Sequence, residues 1–197
     1  MPKIVDHDRI KRHIAEAACA IIASEGMEQA TVRNIAAKAG MSLGAVRHYF
    51  PTQAELFAYA MNLVKERVQA RIESIKSAGL PPRERVVRLL LELIPHDPDT
   101  SLEMEVWFAY IYHGKHADGL PDGPQDDLLQ GMGRILRELD RNGLLKPGLD
   151  LDVETETLYA LVDGLALHAL VDPNRLGRER ITRVLHRYLD TILQPGI

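Results

Sequence analysis

Residues 31–50 read TVRNIAAKAGMSLGAVRHYF, and the punctuation of this stretch decides what surrounds it. Thr31 caps a short helix over Val32 to Ala39, Gly40 closes it, and Ser42 caps a second helix to about Phe50, where Pro51 interrupts. Two short helices around a turn of about three to four residues built on glycine make a helix-turn-helix. Ile35, Ala36, Ala39, Met41, Val46 and Phe50 supply the apolar contacts between the two, and the alanines let the backbones come close. Gly44 removes bulk from the exposed face of the second helix. That face carries Arg33, Lys38, Ser42, Arg47 and His48, donors suited to phosphates and guanine edges. The bare pattern also fits two ordinary core helices closed by a glycine cap, so it needs support from its surroundings.

Upstream, a first helix starts near Asp6 or Asp8 and runs to Ser24, burying Ile10, Ile14, Ala17, Ala18, Ile21 and Ile22, with Gly26 as its stop. Downstream, Thr52 and Glu55 form a capping box for a long fourth helix to about Ser77, each side chain satisfying an otherwise orphan backbone donor. Gly79, Pro81 and Pro82 then break the chain. Further helices are expected at about 82–94, 100–116, 123–142, 152–171 and 176–193. The breakers between them are Pro95 with Pro98, the loop 119–124, residues 143–148, and Asp172-Pro173. No stretch reads as a strand. The expected fold is all-α with about nine helices: a three-helix N-terminal domain, residues 1–52, joined by the long helix to a helical C-terminal domain, residues 53–197.

A chain of 197 residues, 46% hydrophobic and 26% charged, can bury a proper core and is not a disordered composition. Its single cysteine, Cys19, excludes an intramolecular disulfide and a cysteine-only metal cluster. No apolar run approaches the roughly 18 residues of a membrane span, and the N-terminus lacks a signal-peptide pattern, so a cytoplasmic protein that does not enter the membrane is expected. The net charge of −4 argues by itself against a nucleic-acid binder. Its distribution argues the other way. Between Arg9 and Phe50, Arg9, Lys11, Arg12, Arg33, Lys38 and Arg47 outnumber Glu16, Glu25 and Glu28. From Asp97 to Asp127 the reverse holds, with Asp97, Asp99, Glu103, Glu105, Asp118, Asp122, Asp126 and Asp127 against Lys115. Such asymmetry is what a DNA-facing end and a remote end with another task are expected to show.

The run TVRNIAAKAGMSLGAVRHYFPTQAELF, preceded by a helix, resembles the DNA-binding signature of the TetR family over roughly residues 8–60. The resemblance is specific because glycine, small apolar and aromatic positions match together. It implies a regulator, a repressor by family expectation, that binds a double-stranded operator as a homodimer. Val46 to Phe50 would occupy the recognition helix, with Ser42, Leu43, Gly44, Ala45, Arg47 and His48 toward the groove and Tyr49 near a phosphate. Thr31 and Arg33 would touch the backbone or a base from the preceding helix. Two positions depart from the family pattern. Arg47 replaces a frequent tyrosine and shifts preference toward guanine, and Gln53 replaces a lysine that commonly grips a phosphate, weakening nonspecific affinity.

The resemblance also implies that the C-terminal helices bind a small-molecule effector and pair with a second subunit. Two apolar stripes are candidates for pairing: Leu158, Leu161, Val162 and Leu165 on one helix, and Val184, Leu185 and Tyr188 on the next. The same stripes would equally close the monomer's own core. Gly164, within Asp163 to His168, permits close helix approach. The run MEVWFAYIYHGKH, Met104 to His116, gathers the only tryptophan with other aromatics, and Met104, Trp107, Phe108, Tyr110, Ile111 and His113, with His168, are candidate ligand contacts. Aromatics filling a core would give the same composition. His113 and His116 lie one helical turn apart but lack a third ligand, so no metal and no cofactor is expected. No nucleophile elbow, phosphate loop or HExxH pair argues for an enzyme. A ligand-independent regulator, whose C-terminal domain only dimerises or binds a protein partner, stays open.

Overall fold

The structure is a computed structural model that describes residues 6–116 and 124–196, with the backbone alone for 112–116 and 124–126. Among these residues the chain is all-helical: α1 (His7–Glu25), α2 (Val32–Lys38), α3 (Leu43–Tyr49), α4 (Gln53–Ser77), α5 (Pro82–Leu91), α6 (Pro98–His116), α7 (Pro124–Arg141), α8 (Leu151–Val171) and α9 (Arg178–Ile192). A 3-10 turn, Met27–Gln29, follows α1, and Leu145 pairs with Leu193 in an isolated antiparallel bridge; neither was expected. The predicted helix near residue 100 starts earlier, at Pro98. Pro98, expected as a breaker, suits the first helical position because no partner is needed there for a backbone N–H, and Asp97 accepts from the Thr100 amide at 2.8 Å. The predicted loop 119–124 lies, except for the Pro124 backbone, outside the described residues.

By packing, the chain divides into Met1–Arg67 with Leu102–Pro121, and Val68–Ser101 with Asp122–Ile197. The division expected at residue 52 does not coincide with this, because α4 belongs to both units. Its buried side chains, Leu56, Phe57, Ala60, Met61, Leu63 and Val64, all fall in its N-terminal half.

In the first unit α1 buries Ile14, Ala15, Ala17, Ala18, Ile21 and Ile22, and the interior includes Ile35, Val46 and Phe57 from the next three helices and Phe50, which caps α3. In the second unit one core joins α5, α7, α8 and α9 through residues such as Leu90, Leu136, Leu158, Ile181, Leu185 and Leu189. Polar ties at its rim orient these helices. Arg83 on α5 donates to Asp190 and to Nδ1 of His186 on α9, and Arg85 pairs with Glu138 on α7. Lys146 donates to the carbonyls of Asp190 and Thr191, satisfying acceptors that the end of α9 leaves open.

Candidate nucleic-acid interface

The helix-turn-helix is built from local bonds that the sequence dictates. The Thr31 hydroxyl accepts from the Asn34 amide at 3.2 Å and the Ser42 hydroxyl from the Ala45 amide at 3.1 Å, so each short helix begins on a side-chain cap. Gly40 takes φ +64°, where a side chain would be strained, and Met41 N donates to the Ala36 carbonyl at 2.9 Å to fold the turn back. Ile35, Ala36, Ala39, Val46 and Phe50 are buried, as the expected interface between α2 and α3 requires, while Met41 is half-buried.

The opposite face is open. Thr31, Arg33, Ser42, Gly44, Arg47 and His48 are exposed, and Leu43, Ala45, Tyr49 and Gln53 are half-buried. Beyond its own turn of helix, no described residue comes within 4 Å of where a Cβ on Gly44 would be, so packing among the described residues does not call for a glycine there. The capping box at α4 forms differently from expectation. Thr52 accepts from the Glu55 amide, but the Glu55 carboxylate takes the Thr52 hydroxyl proton instead of a backbone one.

Three contacts around the motif join residues far apart in sequence. Gln53 Nε2 donates to the Ala30 carbonyl at 2.8 Å, which ties the start of α4 to the entry of α2. His13 on α1 donates from Nε2 to the Ala39 carbonyl at 3.0 Å, closing the end of α2. His7 at the start of α1 lays its ring 5.7 Å from that of Tyr49 on α3, and the His48 ring meets the same tyrosine edge-on at 5.3 Å. Sequence reasoning counted His13 only in the basic stretch and assigned neither His7 nor His13 to the site, and no local pattern could have done so, since each partner is brought by the packing of α1 on the motif.

Elsewhere the candidate residues separate. On α6 Tyr110 is buried, Met104, Trp107, Phe108 and Ile111 are half-buried, and His113 lies outside the residues whose side chains are described. From Ser101 to Ile111 no side chain is exposed, and burial pushes the Glu105 carboxyl up from its ordinary range. His168 is exposed on α8. Of the pairing candidates, Leu158, Val162, Leu165 and Leu185 are buried in the chain's own core, and Leu161, Val184 and Tyr188 pack half-buried against it. The Tyr188 hydroxyl donates to a Glu154 carboxylate oxygen at 3.0 Å.

The model for the tetR family of bacterial regulatory proteins matches residues 14–60, and that for the C-terminal region of BetI-type transcriptional repressors matches residues 82–194. The chain belongs to the TetR family. Over 192 residues it is 48% identical to the HTH-type transcriptional regulator PksA of Bacillus subtilis, covering 98% of this chain and 94% of that one. A transcriptional regulator from Rhodococcus superposes with TM-score 0.77 at 28% identity, covering 92% of this chain and 95% of that one. A regulator from Saccharomonospora viridis, solved with choline, shares the fold at TM-score 0.76 and 21% identity, covering 95% and 99%.

As a TetR member the chain is a DNA-binding transcriptional regulator with a helix-turn-helix, in a family of regulators rather than enzymes. TetR proteins bind operators as homodimers. Among the described residues, no helix is long and apolar enough to cross a membrane. In this fold the Gln53 amide is engaged with the Ala30 carbonyl.

Proposed function

We propose that the chain is a repressor that grips a palindromic operator as a homodimer, one α3 per half-site, and releases it when a small molecule binds against α6. The outer face of α3 carries this reading. Arg47 and His48 stand exposed on it and the bare Gly44 leaves its first turn open to a groove floor. Selection of bound duplexes from a random pool should return a palindrome with half-sites about one turn, roughly 34 Å, apart. A pool with no enriched sequence would overturn the proposal.

Pairing is supported by α8. Its Val153, Leu167 and Val171 are 59%, 46% and 72% exposed, and with Ala160 and Gly164 they form one line at helical spacing. Beyond its own turn of helix, no described residue comes within 4 Å of a Cβ position on Gly164, which leaves room for a partner's helix. A charge placed in that line, as in Leu167→Glu, should convert a sedimenting dimer to monomer and abolish operator binding. Dimer mass retained by the variant would move the interface elsewhere.

The sensor reading is supported by α6, whose segment from Ser101 to Ile111 has no fully exposed side chain, and by a protein of the same fold solved with choline. Met104, Trp107 and Phe108 are its proposed contacts. Any compound that raises the thermal midpoint must have its affinity lowered by operator by the same factor that it lowers operator affinity. Equal affinity with and without operator would sink the release mechanism and favour the ligand-independent regulator.

A further inference from the structure

We infer that His7 belongs to the DNA interface, and that His7 and His48, flanking Tyr49, make duplex binding proton-linked, tight in mildly acid solution and weaker above neutrality. This rests on the reading of α3 as the recognition helix. Tyr49 lies on that helix, and the His7 ring is packed against it 5.7 Å away from a helix that otherwise turns its apolar side to the core. A duplex seated against Tyr49 would therefore meet this exposed imidazole as well. His48 sits on the other side of the same ring, exposed beside Arg47.

Both imidazoles are exposed, and among the described residues neither has an ion-pair partner. The charged residues nearest them in sequence are Asp6, the N-cap of α1, Asp8, Arg9 and Lys11 within α1, and Arg47 on α3. The Asp6 carboxylate accepts from the Arg9 amide at 3.0 Å, and the Lys11 ammonium lies 6.0 Å from the Phe50 ring centroid. From α4, Tyr59 turns its ring to Phe50. On the reading of α3 as the recognition helix, the duplex brings phosphates to this end of the molecule, a strong new charge beside two histidines, the side-chain type whose charge ordinarily changes between pH 5 and 8. It favours the imidazolium, so binding takes up protons, and by linkage affinity falls as pH rises through the histidine range. Each proton taken up contributes up to about a tenfold change per pH unit within that window.

The test measures dissociation constants of the intact protein at about pH 6, 7 and 8 at fixed ionic strength. It uses two probes: a duplex recovered by selection and a fixed random-sequence duplex of equal length. The constants should rise by at least about tenfold from pH 6 to 8, His7→Asn should reduce the slope, and the His7→Asn/His48→Asn pair should flatten it. Thermal midpoints of the variants report folding separately. A pH-independent constant, or a slope that persists in the double variant, as it would if His13 were responsible, overturns the inference and leaves the recognition helix standing. Failure to bind either duplex at any pH overturns both.

Discussion

The seven-residue helix α3 and the long helix α8 make opposite demands on a reader of sequence. Along α3 the two sides are chemically unlike: Val46 is buried beneath, and Arg47 and His48 stand outside. On α8 apolar residues occur on every side. Leu158, Val162 and Leu165 go to the core while Val153, Leu167 and Val171 remain outside. A face coded in polarity is legible from spacing. A face of leucine and valine beside another is not, since burial by one's own chain and burial by a partner select the same side chains.

The sharpest way to break the comparison is a pair of truncations. Leu185→Ala, in the core, should cost about 2–5 kcal/mol in a denaturant titration. The same change at exposed Leu167 should cost within about 0.5 kcal/mol under conditions where the protein is monomeric. Equal costs would erase the distinction between inner and outer stripes.

Next in size, Arg47→Ala should lose on the order of 1–3 kcal/mol of operator affinity and relax preference at one base pair per half-site. A uniform loss over all duplexes in a binding array would make Arg47 a phosphate contact. Gln53→Ala removes the bond to the Ala30 carbonyl and should lower stability by about 1 kcal/mol. If Gln53 served the duplex alone, the melting curve would not move while affinity fell.

The smallest effect concerns α6. Burial raises the Glu105 carboxyl, so the folded chain holds that proton more readily than the unfolded one and stability falls as pH rises through the carboxylate range. Glu105→Gln should therefore raise the thermal midpoint slightly near pH 7, with the gain shrinking toward about pH 4. A gain independent of pH would assign the effect to packing.

Much of the fold was legible because it is written in short-range chemistry. Thr31, Gly40 and Ser42 act on backbone groups within a few residues, and their predicted caps and turn are in place. The polar outer face of α3 follows from the same periodicity. Pro98 was misjudged because proline has two meanings, stopping a helix or starting one, and the Asp97 side chain decides between them.

By itself, then, the amino-acid sequence determined that the chain is helical, where most helices begin and end, which side of α3 is polar and which family it belongs to. Only the tertiary structure decided that Gln53 turns to Ala30, that His13 closes α2, that His7 joins Tyr49, and which apolar stripe of α8 stays outside. The physical reason is range. Caps and periodicity act within a turn or two of the chain, whereas these contacts depend on which helix comes to lie against which.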